Sequence, residues 1–408
     1  MISVENAQSI IQEHILKTEE EMVTLSNAGG RILATDIFAN FPMLSFDNSA
    51  MDGFAVRSID TIGAKESSPV TLKVAGISSA GNPTDLTLNQ GECAQCMTGA
   101  EIPKGADAIV IVENSGGFTD LGSVQIFKEA KHGDHIRKLG EEIPTGTKLI
   151  SKGTQIAPGE VGTLATFGYG ELSVAKKPMI AIFGTGDELI NPGETLKQGQ
   201  IYNSNLPVLA ELGIRAGGEV VMQEVIKDDK DSLNLFLSKA MCECDIVISS
   251  GGISMGKYDY VRNVFRDLGV MEEFWKVAQK PGKPLFFGTT PSTLIFGLPG
   301  NPVSSYICFV EYIIPIIQEI LGLKKPRKLT AVLTEDFPSD KKKQRFLFGK
   351  AWINTDGKLV CAPTSKTGSH MLTSSLDADC IIEAQPSEKN VKAGETITIQ
   401  PLNWRSIK

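Results

Sequence analysis

From residue 177 to residue 324, short apolar runs alternate with helical patterns, and this alternation limits the fold more than any other feature of the chain. PMIAIF, GEVVMQEV, DIVISS and TLIFGL read as strands. SNLPVLAELGIRA, KDSLNLFLSKAM, DYVRNVFRDLG and VSSYICFVEYIIPIIQEIL read as the helices between and after them. Such βαβ succession predicts a doubly wound, mainly parallel sheet covered by helices on both faces.

The rest of the 408 residues differs in pattern, which predicts a multi-domain α/β plus β protein. Residues 45–131 carry VTLKVAGI, GECAQCMTG, DAIVIVEN and GSVQIFKEA between turn clusters, as expected of a small mostly-β lid domain. Residues 132–176 are punctuated by Gly and Pro, and with residues 1–44 they are expected to form an elongated linking domain. The first of these segments opens on an amphipathic helix with Val4, Ala7, Ile11 and Ile15 on one face. Residues 325–408 return to short strands (AVLTEDF, RFLFGKAWI, KLVCAP, CIIEAQ, ETITIQP), a C-terminal β domain.

A net charge of −8 gives no global attraction to nucleic acid or to an anionic membrane, so an anionic ligand needs a local basic site. The most apolar segment, residues 306–323, is interrupted by Glu311, Pro315 and Glu319 and reads as a buried helix rather than a membrane span. The N-terminus lacks the basic region and long apolar core of a signal peptide, and seven cysteines suggest free thiols, so a cytoplasmic protein is expected. Cys93 and Cys96 have the spacing of half a zinc site, but nothing in the sequence completes it.

In open α/β sheets ligands bind beyond the carboxyl ends of the strands, and three glycine-bearing loops fall there. GTGDELINPG places Asp187 and Glu188 at a strand exit. SGGISMGKYDY carries Ser250, Gly251, Gly252, Ser254 and Gly256 ahead of a helix beginning near Asp259. GLPGNPVSS carries Pro299, Gly300 and Asn301, with Asn301 expected to cap a helix beginning near Pro302.

One such loop is explained by turn geometry alone; three at one sheet edge favour a phosphate or similar oxyanion. FWKVAQKPGKPLFFG adds Lys276, Lys280 and Lys283 on a proline-stiffened segment, either a solvated face or an anion platform. Asp187, Glu188, Asp245 and Asp259 are expected around the same loops, and Asp52 and Glu142 lie in polar segments of the N-terminal half. Phosphate beside oxygen ligands suits Mg²⁺, although Asp259 serves equally as a helix cap. No nucleophilic triad, GxSxG elbow or GxxxxGK[ST] loop occurs, and the four histidines are scattered.

FDNSAMDGFAVR, TGAEIPKGADAIVIVEN, IRKLGEEIPTG, GTGDEL, IYNSN, SSGGISMGKYDY, KPGKP and GLPGNPVSS follow one another in an order that resembles the MoeA family of molybdopterin molybdenumtransferases, which includes the E domain of gephyrin. The resemblance spans roughly residues 5–400. It implies an L-shaped, four-domain homodimer whose α/β unit is MogA-like. It also implies Mg²⁺-dependent insertion of molybdate into adenylylated molybdopterin with release of AMP. MogA-type adenylyltransferases and molybdoenzyme-maturation proteins are the further partners it implies.

By the same resemblance, Asp52, Thr98, Asp187, Glu188, Asp245, Asp259, Lys276 and Lys280 belong to the functional cleft, and Pro299 and Pro302 shape its wall. The family sets this cleft between the α/β unit of one subunit and the N-terminal half of the other. Four positions depart from the family pattern: Glu142 for Asp, Asn203 for Asp, Gly184 for a hydroxyl residue and Phe348 for Arg. Two other functions are compatible with parts of the pattern, molybdopterin adenylylation and a non-catalytic molybdopterin-binding scaffold.

Overall fold

The computed structural model describes residues 1–82, 85–118, 122–227, 229–252, 260–324, 327–365 and 368–402. Its central sheet has six strands in the order Glu219–Ile226, Met179–Thr185, Ile246–Ser250, Leu294–Leu298, Phe286–Thr289 and Met271–Trp275. The first four are parallel, as the sequence predicts. The last two join through antiparallel pairings, so Phe286–Thr289 runs against the other five, and both arise where the sequence suggested only a lysine-bearing platform.

Side-chain alternation divides the core into two layers. Ile180, Ile182, Ile246 and Ile248 face the helices Asn205–Arg215 and Pro302–Ile320. Ala181, Phe183 and Val247 face Leu233, Phe236 and Leu237 of the helix Lys230–Glu243, and Val264 and Phe265 of the helix Tyr260–Asp267. Among the described residues Pro302–Ile320 is the one helix long and apolar enough to cross a membrane, and 83% of its apolar window is buried inside the protein. Pro315 cannot donate to the helical ladder, and a π turn, Phe309–Ile313, directly precedes the segment that contains it.

The N-terminal helix Val4–Glu13 buries Val4, Ala7 and Ile11, the stripe read from the sequence. Among the described residues, the linking region expected to cover it contributes only Ile32 and Ala175 to the core it joins. The helix's apolar stripe joins the α/β core beside Tyr312 and Ile316, and Gln8 and Gln12 donate to the Glu311 carbonyl and the Glu319 carboxylate. The linking region has its own small core, built from Leu33, Ile37, Ile150, Leu164 and Val174.

The lid is a five-stranded sheet ordered Ala108–Ile111, Gly53–Val56, Glu92–Cys96, Val70–Ser78 and Ser123–Ile126. The five C-terminal strands predicted from sequence close into a barrel, because Gln344–Ile353 pairs both with Leu359–Pro363 and with Cys380–Ala384. A short strand, Gln279–Lys280, adds to this barrel and ties it to the α/β unit.

The junction also carries a buried charge cluster. Lys328 donates to Glu311 at 3.2 Å and to Glu383 at 2.5 Å, so two carboxylates share one ammonium. Glu311 is 2% exposed, and burial pushes its carboxyl up to about 7. The folded protein therefore keeps a proton that the unfolded chain releases near pH 4.3, approximately. This contribution to stability is complete at low pH and is lost as pH rises through about 7. Glu311→Gln is expected to flatten the decline of the thermal midpoint across that window, measured by melting at closely spaced pH values.

In the lid, a Cβ on Gly53 would stand 2.0 Å from the Val110 carbonyl oxygen and 2.9 Å from Ile111 Cα, both backbone atoms of the paired strand. Gly53→Ala is expected to destabilise the lid by about 2 kcal/mol or more. Faster limited proteolysis within residues 45–131 is the readout.

Candidate functional site

The four parallel strands end along one edge, and a cleft of about 670 Å³ opens there. Glu188, Ser250, Gly251, Gly252, Pro299, Gly300, Asn301 and Pro302 line it, so the three glycine loops converge as the sequence predicts. Gly252 has φ +71°, and a Cβ there would lie 2.4 Å from Val261 Cγ2 and 2.9 Å from Thr185 Oγ1. Only glycine lets the backbone run so close to the strand exit. Asp187 is exposed beside Glu188 on the same loop.

Asn205 locks two of the loops together. Its Nδ2 donates to Ser250 Oγ at 2.8 Å and to the Gly300 carbonyl at 2.8 Å. Asn203, buried, accepts the Leu206 N–H at 3.2 Å through Oδ1 and so caps the helix that follows. An aspartate would offer the same oxygen, which explains why Asn is tolerated where the family more often has Asp. Thr185, Tyr202, Asn203, Asn205 and His370 also line the cleft, although the sequence does not mark them as site residues. IYNSN was the available signal for three of them; His370 arrives from the C-terminal barrel, 118 positions beyond Gly252, and no local pattern connects it to the sheet.

The barrel is seated at the mouth of the cleft. Asn301 holds the N-cap position but makes no capping bond; its Nδ2 donates instead to Ser369 Oγ at 3.3 Å. The Val303 N–H donates to the Ser369 carbonyl at 3.2 Å. Phe348, in place of the family's arginine, packs edge-on against Tyr306 with centroids 4.9 Å apart. That position has become an apolar contact between the barrel and the Pro302–Ile320 helix.

The lysine segment is firmly held, yet its ammonium groups do not line the cleft. Gln279 is buried and donates to the Gly282 carbonyl at 3.1 Å and to Cys308 Sγ at 3.2 Å, while the Tyr312 hydroxyl donates to Gln279 Oε1. Lys276 has φ +77° and rests its ammonium 3.6 Å from the centroid of Trp275. Lys280 and Lys283 are exposed, and of this segment Pro284 reaches the cleft wall.

Two acids lie apart from Asp187 and Glu188. Asp245 precedes the strand Ile246–Ser250, so it stands at the amino edge of the sheet and accepts the Met179 N–H at 2.7 Å. At about 3.3 Å per residue it is roughly 16 Å from Ser250, which removes it from the cleft. Glu142 occupies an exposed turn whose N–H donates to the Met43 carbonyl at 3.0 Å. Ser254, Gly256 and Asp259 lie outside the described residues.

Asp52 and Thr98 come together as expected. Asp52 Oδ1 accepts the Thr98 N–H at 2.7 Å and the Thr98 hydroxyl at 2.8 Å, and these bonds hold the carboxyl below its usual range. Asp47 accepts Leu139 N–H at 2.8 Å and Lys138 Nζ at 2.9 Å, and Ser49 donates to the Met51 carbonyl, so the neighbouring polar residues shape the turn. Among the described residues no group of three or more His, Cys, Asp or Glu is arranged to hold a metal.

Replacing Asn205 by Ala would leave Ser250 and the Gly300 carbonyl without their shared donor. We expect a loss of about 1–3 kcal/mol in stability and at least about ten-fold weaker binding of a phosphate-bearing ligand, measured by melting and by titration calorimetry.

Three family models cover the chain: the MoeA N-terminal region (domain I and II) at residues 2–168, a probable molybdopterin binding domain at 181–319, and the MoeA C-terminal region (domain IV) at 330–402. A molybdopterin molybdenumtransferase of Haemophilus influenzae is 34% identical over 99% of this chain and 99% of its own length. One of Bacillus subtilis is 35% identical over 93% of this chain and 89% of its own. The crystal structure of a molybdopterin biosynthesis moeA protein from Pyrococcus horikoshii superposes with a TM-score of 0.86 at 32% identity, covering 98% of this chain and 99% of that one. With the glycine loops converging on one cleft and the lid, α/β unit and barrel all in the matched order, the chain belongs to the MoeA family.

Proposed function

We propose that this protein is a molybdopterin molybdenumtransferase that inserts molybdenum from molybdate into adenylylated molybdopterin and releases AMP. The observation that carries this reading is the convergence of Ser250, Gly251, Gly252 and the residues 299–302 on one cleft beside Glu188. Backbone N–H groups in such loops bind phosphate oxygens, and Asn205 keeps the two loops at a fixed separation.

Mg²⁺ fits these residues, since it needs only one or two carboxylates when substrate phosphates complete its shell. Asp187 and Glu188 would hold it, and when bound it would offset negative charge on the phosphate oxygens. Lys276, Lys280 and Lys283, on the same side of the sheet, raise the local concentration of molybdate and pterin phosphate. Water adds across the phosphoanhydride joining AMP to the pterin phosphate and AMP departs, while the two dithiolene sulfurs displace one oxygen of molybdate, which leaves with their two protons as water.

Asp52 lies on the N-terminal half, which contributes nothing to the lining of the cleft among the described residues. We assign it to the partner's cleft in a cytoplasmic homodimer, positioned there by Thr98. MogA-type adenylyltransferases and molybdoenzyme-maturation proteins fit as suppliers of the substrate and acceptors of the product.

The test supplies purified protein with adenylylated molybdopterin, molybdate and Mg²⁺ and measures AMP. Molybdate-dependent release is expected, falling at least about a hundred-fold in Asp52→Ala and in Asp187→Ala. Mixing these two variants should restore part of the activity through hybrid dimers carrying one intact cleft. Binding without turnover would instead favour a scaffold, and consumption of ATP to form the adenylylated pterin would favour an adenylyltransferase.

A further inference from the structure

The cleft has two chemically different walls. One carries the glycine loops and their backbone donors; the other is a short pair of parallel strands, Leu189–Ile190 and Ile201–Tyr202. Leu189, Ile201 and Tyr202 all line the cavity. Tyr202 is 43% exposed, so this aromatic residue of the lining is only partly covered by the protein.

The ring is also fixed. The Tyr202 hydroxyl donates to the Glu194 carbonyl at 2.8 Å. Backbone bonds on both sides set the strand, from Ile201 N–H to the Glu188 carbonyl and from Asn203 N–H to the Ile190 carbonyl, each at 2.8 Å. The hydroxyl is thus engaged by the protein while the ring remains available. A phosphate on the glycine loops would leave whatever planar group it carries beside this apolar wall, where an aromatic face offers stacking without hydrogen-bond readout.

The geometry points to Tyr202 as the stacking platform for the adenine ring of the adenylylated substrate, a specificity-determining residue of the cleft. This rests on the proposed function, because the adenylyl group belongs to that reading. Anchoring the ring through its hydroxyl lowers the entropy lost on binding, since the platform is ordered before the base arrives.

Binding of AMP and of ribose phosphate, which lacks the base, to the full-length chain and to Tyr202→Ala and Tyr202→Phe tests the assignment by calorimetry with Mg²⁺ present. Tyr202→Ala should weaken AMP by about five-fold or more, the lower end of a base–aromatic stack, and leave ribose phosphate unchanged. Tyr202→Phe should keep AMP within about two-fold of the parent protein, because it keeps the ring and loses only the bond to Glu194. Equal weakening of AMP and ribose phosphate, or a loss in Phe matching that in Ala, would show a structural role and overturn the inference.

Unchanged AMP binding in Tyr202→Ala would overturn it too, and would leave the proposed function standing. Weakened binding of hydroxymethylpterin phosphate with AMP untouched would move the platform to the pterin and overturn the assignment to adenine. A parent protein that binds no AMP at all would sink the adenylyl reading and this inference together.

Discussion

Parallel strand pairing is the constraint from which the rest of the site follows. Ile180–Gly184 pair in register with Ile246–Ser250, and those in turn with Leu294–Leu298, so three successive strands stop at the same level. Each must then turn away, and the turns leave their backbone donors facing one volume. Gly252 lets one of these turns lie against Thr185 and Val261 without a clash. Asn205 then joins the second turn to the third by two hydrogen bonds from a single amide. The glycine-loop wall of the cleft is therefore set by the sheet more than by any single charged side chain.

The barrel is fastened to this edge from two directions. Ser369 meets Asn301 and Val303 at the start of the long helix, while Gln279 and Lys280 leave the α/β unit to pair with Gln344 and Arg345. Below the second contact, Gln279, Cys308 and Tyr312 form a buried polar chain inside an otherwise apolar layer. Such a network imposes a particular geometry, since each member left unpaired would carry a desolvation cost of about 1–3 kcal/mol. The lysine segment is accordingly fixed in its backbone even though its side chains reach solvent.

Much of this was legible in the residues. The βαβ alternation gave the four parallel strands, the glycine loops gave the cleft, and the alternating C-terminal runs gave the barrel strands. Asp245 shows an error that strand direction alone would have prevented: a residue just before a parallel strand lies at the edge opposite to one just after it. Met271–Trp275 was hidden because its two glutamates and partial exposure resemble a surface segment more than a strand. For Val4–Glu13 the apolar stripe announced a buried face, but a stripe does not name the surface that will cover it. His370 required the packing of a separate domain, which no local pattern encodes.

Asp52 differs from the acids of the cleft in how it is held. Two bonds from Thr98 fix its carboxylate, the Val112 N–H fixes its carbonyl, and the close approach of Gly53 to Val110 fixes the backbone that carries it. A solvated aspartate needs none of this for the stability of the lid, because an exposed carboxylate is already satisfied by water. Ordering it in advance makes physical sense where a fixed charge meets a group from outside its own domain, since the entropy of placing the carboxylate is then lost on folding rather than on binding. The same reasoning separates Asp52 from Asp47, whose bonds to Lys138 and Leu139 close a turn and are complete within the N-terminal half.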